Sequence, residues 1–266
     1  MPTRGDPGAL VCIQQRGWRL QVSSDLAGAR EVLRAILDLA DSPRVPLRRS
    51  RHASTFVLTS PSSQSGEDLF VKYFDPPAGW ARLKSWYRRS RSSTTARITA
   101  ALCTAGFSVP PVLVQGVHPG SQRELVVTAR AAGDGPIIAL RGLDGSISAK
   151  RAVLRALGTE VARLHLAGFI HGDLTPFNIR IIADEIPKFA FLDNDRTRRN
   201  VVIARARRRR RNLVQLGRFG LPGITRTDRM RVFRAYETAL YGCHSRSLER
   251  KIAAMLHRRM QTNPSY

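Results

Sequence analysis

The segments HGDLTPFN (residues 171–178) and FAFLDND (residues 189–195) set the architecture expected of this chain. The first follows a helical pattern that ends at Gly168, and it places polar side chains directly after a short apolar piece. The second is an apolar run typical of a β-strand, and it ends at Asp193. Together they predict a polar loop that faces the end of a strand, with carboxylates and an amide close together.

This set of polar residues matches the needs of phosphoryl transfer, which uses one carboxylate as base and oxygen ligands for Mg²⁺. Asp173 and Asn178 stand five positions apart, as in the catalytic loop of protein kinases, where the Asp is the base and the Asn binds metal. Asp193 comes twenty positions after Asp173 and suits the second metal carboxylate. We therefore expect Asp173 to be catalytic and Asn178 and Asp193 to bind Mg²⁺ and the nucleotide.

A lysine upstream completes the pattern. Lys72 interrupts the apolar run LFVKYF (residues 69–74), which predicts a strand lysine that reaches the α- and β-phosphates of ATP. Each residue alone has a simpler interpretation, because a strand lysine is commonly a solvated edge residue and Asp and Asn are common in turns. Their joint order along the chain favours the kinase interpretation.

At these residues the sequence resembles the lipopolysaccharide kinase family, the Kdo and heptose kinases of Gram-negative bacteria. The resemblance extends from about Pro46 to Phe219 and includes FVKYF as the lysine strand, TAALCTAGFSVPPVL as a helix followed by a proline-bearing strand, and RRNLVQLGRF as the helix after the metal residues. It implies that Lys72 binds phosphates of ATP, that Asp173 is the base, and that Asn178 and Asp193 hold Mg²⁺.

The periodicity along the chain predicts an α+β, two-lobed protein-kinase-like fold. The β-rich N-lobe is expected over residues 1–132 and the mainly helical C-lobe over residues 133–266, with GDGP (133–136) as the hinge. The N-lobe prediction is a strand and helix over 11–39, two strands at Thr55–Thr59 and Leu69–Phe74, a helix Ser93–Ala105, and strands Val112–Val117 and Leu125–Thr128. The C-lobe helices are predicted at Lys150–Ala167, Asn212–Arg218, Arg226–Leu240 and Ser247–Met260.

The charge of the chain indicates a polyanionic partner. Its 44 Lys and Arg against 20 Asp and Glu give a formal net charge of +24 over 266 residues. Charge alone leaves nucleic acid, an anionic membrane face and a phosphorylated glycolipid open. The arginine run Arg205–Arg211 and a basic segment containing Trp80, Trp86 and Tyr87 are the candidate contacts.

Two further patterns bear on location. No run approaches the roughly 18 apolar residues of a spanning helix, and Cys12, Cys103 and Cys243 show no paired spacing. We therefore expect reduced thiols in a soluble cytoplasmic protein, and the resemblance to the lipopolysaccharide kinase family implies a peripheral position at the cytoplasmic face of the inner membrane.

The segment also departs from protein kinases. Gly172 stands where regulated protein kinases have arginine, which indicates a constitutively assembled site for a small-molecule acceptor. His171 is expected to pack and hydrogen-bond inside the loop rather than to transfer a proton. The helix Ser93–Ala105 has no acidic residue to pair with Lys72, and RRSRHAST (48–55) replaces a glycine-rich loop.

The expected activity is transfer of phosphate from ATP to a sugar hydroxyl of the lipopolysaccharide inner core or a related anionic glycolipid. A RIO-like serine/threonine protein kinase that addresses RNA or ribosomal particles is the first alternative. A non-catalytic pseudokinase that binds RNA or membrane is the second, because of the missing helix glutamate and glycine-rich loop. The oligomeric state is left open.

Overall fold

The structure is a computed structural model and describes residues 10–27, 30–40, 45–50, 52–59, 68–76, 90–143, 146–182, 185–199, 205–218 and 223–262. The chain divides into two compact units, Met1–Ala100 with Pro110–Arg130, and Ala101–Val109 with Ala131–Tyr266. The predicted basic segment around Trp80, Trp86 and Tyr87 lies outside the described residues.

The first unit is built on an antiparallel sheet. Its described elements are β1 (Leu10–Gln15), β2 (Trp18–Ser23), α1 (Ser24–Ala27), α2 (Arg30–Asp38), β3 (Arg48–Ser50), β4 (Ala53–Thr59), β5 (Asp68–Phe74), α3 (Arg91–Thr104), β6 (Val112–His118) and β7 (Arg123–Ala129). The seven strands described pair in the order β1-β2-β6-β7-β5-β4-β3. The division between the two units falls inside α3.

The first predicted strand is in fact a hairpin. Arg16 and Gly17 have φ angles of 50° and 78°, and Gln15 pairs with Trp18 across them. Two consecutive left-handed residues form the two-residue turn that matches the twist of antiparallel strands. The single strand expected before the first helix is therefore wrong, because this turn folds β2 back on β1.

The core of the first unit lies on one face of the sheet, against α2. Leu69, Val71 and Tyr73 of β5 are buried in this core, and the Tyr73 hydroxyl donates a hydrogen bond to the Ile36 carbonyl of α2. Successive side chains of a strand point to opposite faces. Lys72 therefore belongs to the other face of the sheet.

The predicted lysine strand is confirmed as a strand, and it is an internal one. Lys72 lies opposite Thr55 on β4 and Val126 on β7. The alternative of a solvated edge-strand lysine is thus wrong. The predicted helix before Gly106 is also present, and Gly106 has a φ of 77° that ends it in the left-handed conformation.

The second unit is mainly helical. Its described helices are α4 (Pro136–Arg141), α5 (Ile147–Leu166), α6 (Arg205–Gly217), α7 (Arg226–Tyr241) and α8 (Arg246–Thr262). Its short strands are β8 (Phe169–Ile170), β9 (Ile179–Ile182), β10 (Lys188–Phe191) and β11 (Arg198–Arg199), which pair as β9 with β10 and β8 with β11. No helix in the described part of the chain is long and apolar enough to cross a membrane.

Helices α5 and α7 pack closely. A Cβ atom at Gly158 would overlap the Val232 carbonyl oxygen of α7. Thr225 caps α7 by a reciprocal pair of hydrogen bonds with Asp228, whose buried carboxylate also binds Lys150 of α5 at 2.7 Å. Burial alone would raise the pKa of Asp228, but its bonds to Lys150 and Thr225 lower that pKa to about 2.

Candidate active site

The two segments that opened the sequence analysis lie side by side in the second unit. The loop 171–178 leads from β8 into β9, and β10 pairs with β9 so that Phe191 lies opposite Ile179. Asn178 and Leu192 therefore leave the hairpin at the same end, and the Leu192 amide donates to the Asn178 carbonyl at 2.9 Å. The structure thus brings the predicted base loop next to the turn 192–196, which carries Asp193.

Asp173 and Asn178 are in direct contact. The Asn178 Nδ2 group donates to the Asp173 backbone carbonyl at 2.8 Å and to its carboxylate Oδ2 at 3.4 Å. These two acceptors identify the donor end of the amide. The Asn178 Oδ1 atom remains as the acceptor that could bind a cation.

His171 joins the two loops from the interior. Its Nδ1 accepts from the Asp173 amide at 3.1 Å, so its Nε2 carries the hydrogen and donates to the Leu192 carbonyl at 2.9 Å. Burial lowers the pKa of His171, which keeps the ring neutral near neutral pH. The ring has the packing and hydrogen-bonding position expected from the sequence.

Asp193 stands at a strained point of the backbone. Its φ of 55° is in the left-handed region, which costs an ordinary L-residue about 1 kcal/mol or more. The turn around it is fixed by Asn194, which donates to the Phe191 carbonyl at 3.0 Å and accepts from Thr197 at 3.3 Å. The surrounding hydrogen bonds therefore hold Asp193 in this conformation.

Gly172 marks the closest approach of the two loops. A Cβ at this position would overlap the Cβ and the carbonyl oxygen of Arg196. In the sequence, Gly172 was notable only because regulated protein kinases have arginine at this position. The structure adds a steric reason, because the backbone of the turn 192–196 occupies the space of any side chain.

Two amides of α6 contact the loop 171–178 and were missed from the sequence. Gln215 Nε2 donates to the Asp173 carboxylate Oδ1 at 3.3 Å, and Asn212 Nδ2 donates to the His171 carbonyl at 2.6 Å. Both side chains are buried. The available signal was two amides three positions apart, with Leu213 and Val214 between them.

Lys72, the lysine predicted from the sequence to bind phosphates, lies in the first unit. Lys72 Nζ is 5.4 Å from the Phe74 ring centroid, and the Arg91 guanidinium is 4.2 Å from the same centroid. The carboxylate that reaches α3 comes from the sheet, since Glu124 accepts from the Ser92 amide at 2.6 Å. The chain thus anchors the start of α3 to β7 although the helix itself has no acidic residue.

The donor atoms around Asp193 fit a magnesium ion bound together with a nucleotide. No cluster of three or more His, Cys, Asp or Glu side chains suited to a metal occurs among the described residues. Mg²⁺ in nucleotide sites commonly takes one or two carboxylates, with phosphate and water oxygens as its other ligands. The Asp193 carboxylate and the Asn178 Oδ1 are the two protein oxygens that could hold such an ion.

The comparison with protein-family models identifies one family. The model of the lipopolysaccharide kinase (Kdo/WaaP) family matches residues 83–236, more than half of the chain. This range contains Asp173, Asn178 and Asp193 and begins after Lys72. A search of the curated proteins returned no match.

The solved structure of WaaP shares the fold of this chain. The structure of WaaP in complex with acyl carrier protein has 20% sequence identity and a TM-score of 0.62, covering 92% of this chain and 98% of that one. The structure of WbdD with the kinase inhibitor LY294002 has 16% identity and a TM-score of 0.43, covering 79% of this chain and 49% of that one. The chain belongs to the lipopolysaccharide kinase (Kdo/WaaP) family and is an ATP-dependent kinase with a β-rich first unit and a mainly helical second unit.

Proposed function

We propose that this kinase transfers the γ-phosphate of ATP to a sugar hydroxyl of the lipopolysaccharide inner core or a related anionic glycolipid, at the cytoplasmic face of the inner membrane. Membership of the family supports a kinase in lipopolysaccharide biosynthesis. The observation that carries the proposed site is the Asp173 carboxylate held between two amides. Gln215 donates to its Oδ1 at 3.3 Å and Asn178 to its Oδ2 at 3.4 Å.

Asp173 acts as the base in this proposal. The oxygen of the acceptor hydroxyl attacks the γ-phosphorus, and the bond from that phosphorus to the β–γ bridging oxygen breaks. ADP leaves with the electron pair of that bond, while the hydroxyl proton passes to the Asp173 carboxylate. The two amide donors orient the carboxylate toward the incoming hydroxyl without taking part in the proton transfer.

The nucleotide is bound in this proposal by Lys72, Asn178 and Asp193. Lys72 binds the α- and β-phosphates, and Asn178 and Asp193 hold Mg²⁺ through the oxygen donors described above. When bound, the ion neutralises charge on the phosphates. Arg48 and Arg49, both exposed on β3, lie in the segment that replaces a glycine-rich loop, so that arginine side chains take over contacts that backbone amides make elsewhere.

The arginines of α6 support an anionic acceptor. Arg207 and Arg211 are exposed and precede Gln215 at intervals of four residues, so all three belong to one stripe of the helix. The two arginines therefore lie about one and two helical turns, of about 5.4 Å each, from the residue that contacts Asp173. A basic residue near an anionic lipid surface contributes about 1 kcal/mol to the free energy of binding to that surface.

Not every arginine of the run Arg205–Arg211 is assigned to contact with the acceptor. Arg209 donates to the His165 carbonyl at 2.9 Å and is partly buried, so it supports the fold. The acceptor contacts are therefore assigned to the exposed Arg207 and Arg211 rather than to the whole run.

The acceptor is tested by presenting radiolabelled ATP and Mg²⁺ with three substrates in parallel: inner-core lipopolysaccharide in anionic micelles, a generic basic protein and ribosomal subunits. Because the WaaP relative was solved in complex with acyl carrier protein, each reaction is run with and without that protein. We expect label on the glycolipid alone. Label on protein alone would favour the RIO-like alternative. If the protein showed neither turnover nor Mg-ATP binding, the pseudokinase alternative would be favoured.

A further inference from the structure

A buried chain of polar side chains leads from α7 to Asp173. The Tyr236 hydroxyl contacts His165 Nδ1 at 2.9 Å, and His165 Nε2 contacts Asn212 Oδ1 at 3.1 Å. Asn212 Nδ2 then donates to Gln215 Oε1 at 3.0 Å, and Gln215 Nε2 reaches the Asp173 carboxylate at 3.3 Å. The four side chains that lead to Asp173 in this hydrogen-bonded chain are at most 7% exposed, so water does not compete for these bonds.

The end of the chain fixes the orientation of the Gln215 amide. Its nitrogen faces two acceptors, the Asp173 carboxylate and the Gly172 carbonyl, and must therefore be the donor. Its oxygen accepts from the Leu174 amide at 3.4 Å and from Asn212. A reversed amide would place an oxygen against a carboxylate, so only one orientation is stable.

The orientations of the other three side chains follow from the same assignment of donors and acceptors. Asn212 Nδ2 donates both to Gln215 and to the His171 carbonyl, which makes the Asn212 oxygen an acceptor. His165 must then carry its hydrogen on Nε2 and accept on Nδ1 from the Tyr236 hydroxyl. Burial raises the pKa of Tyr236, which keeps the phenol protonated as this arrangement requires.

We propose that Gln215 is a positioning residue that fixes the rotation of the Asp173 carboxylate through Oδ1, and that Asn212, His165 and Tyr236 hold Gln215 in its donating orientation. The inference rests on the proposed role of Asp173 as base. Asn178 fixes the other carboxylate oxygen, so removal of Gln215 leaves one restraint where two were present. A base that samples several rotations spends less time aligned with the acceptor hydroxyl, which lowers kcat and not nucleotide affinity.

Two substitutions separate the donor from the acceptor of the Gln215 amide. Gln215→Glu keeps the size and the oxygen that accepts from Leu174, but it replaces the donor to Asp173 with a carboxylate oxygen and adds a negative charge. Gln215→Leu removes both the donor and the acceptor without adding charge. Val214→Ala is the matched control, because Val214 is equally buried on α6 and its side chain makes no hydrogen bond.

The measurements are kcat, the KM for ATP, Mg-ATP affinity and hydrogen exchange of the Leu174 amide. We expect both Gln215 variants to lose about tenfold or more in kcat while the KM for ATP and the affinity for Mg-ATP change less than about twofold. Protection of the Leu174 amide should fall in Gln215→Leu and persist in Gln215→Glu. Val214→Ala should lower Tm without lowering kcat, and Tyr236→Phe should lower kcat less than either Gln215 variant.

Wild-type kcat in Gln215→Glu would overturn the proposal, as would an equal loss of kcat in Val214→Ala. A wild-type protein without turnover on any acceptor would instead contradict the proposed function. In that case crystal structures of the wild-type protein and Gln215→Leu still decide the inference. A single Asp173 rotamer in the first and several in the second would support it, and the same single rotamer in both would overturn it.

Discussion

The Asn178 side chain donates to the Asp173 backbone carbonyl at 2.8 Å and so closes the loop 171–178 on itself. This bond does not involve the Asp173 side chain. Substitutions of the carboxylate should therefore leave the loop folded, and their effects on turnover should report the chemistry of Asp173.

Asp173→Asn should retain the loop and lose the base. We expect kcat to fall by about 10²–10⁴, the usual range for loss of a positioned base, while Mg-ATP affinity stays within about threefold of the wild-type value. Steady-state kinetics and calorimetry measure the two quantities. Unchanged turnover in this variant would contradict the assignment of Asp173.

Asp193→Asn should impair nucleotide binding instead. Asparagine tolerates the left-handed conformation, so the free protein should keep its Tm, while loss of the carboxylate weakens Mg-ATP. At 100 times the wild-type Kd, Mg-ATP stabilises by about 2.7 kcal/mol, and most of this should be lost at the same concentration. Thermal-shift titration with Mg-ATP measures this loss, and full stabilisation of Asp193→Asn would refute the ligand role.

Replacement of Arg207 and Arg211 by glutamine should weaken acceptor recognition. Both side chains are exposed, so we expect little change in Tm, a higher KM for the glycolipid, a flatter salt dependence of that KM, and nearly unchanged kcat. Arg151→Gln with Arg155→Gln, an exposed pair of the same spacing on α5, removes the same charge as a control. Equal effects in both double variants would show that only net charge matters.

Gly172 should not accept the arginine found in regulated protein kinases. Any side chain there meets the Arg196 backbone, so Gly172→Ala should destabilise by about 1–3 kcal/mol, as overpacking commonly does. Gly172→Arg should cost more and displace the turn 192–196. Urea denaturation measures both, and a fully stable Gly172→Arg variant with normal Mg-ATP binding would show that the turn can move freely.

The ion pairs of Asp228 predict a loss of stability in acid. A carboxyl whose pKa falls on folding contributes stability above its unfolded pKa and loses it as the pH drops toward the folded value. The pKa drops from 3.8 to about 2, so about 2 kcal/mol should disappear between about pH 4 and pH 2. Asp228→Asn should flatten this part of the urea-measured profile, whereas Glu249→Gln, which removes a looser ion pair with Arg234, should change it little.

Local patterns in the sequence predicted much of the fold and of the candidate site. The apolar run around Lys72 identified a strand, which the structure shows to be internal, and the spacing of Asp173, Asn178 and Asp193 identified two loops that the β9–β10 hairpin brings together. The strand could be predicted because its signal lies within a few residues, and the two loops because the order and spacing of their polar residues match the kinase pattern. The hairpin at Arg16 and Gly17 was missed because a single glycine between two β-favouring runs did not signal a turn.

Contacts between distant segments could not be predicted in this way. Gln215 meets Asp173 across 42 positions, and nothing near either residue specifies that pairing. The start of α6 at Arg205 was also missed, since an arginine run has no apolar periodicity. Tertiary contacts of this segment, among them the bond from Arg209 to the His165 carbonyl, are not visible in its local sequence.

Gly158 has a consequence for thermostabilisation by protein engineering. A glycine in the interior of a helix is a usual target, because replacement by alanine commonly contributes about 0.5–1 kcal/mol. Here the Val232 carbonyl of α7 occupies the space of the new methyl group, so Gly158→Ala would wedge α5 away from α7. Stabilising substitutions in this enzyme therefore belong on the exposed faces of the two helices, and consensus designs should leave this glycine unchanged.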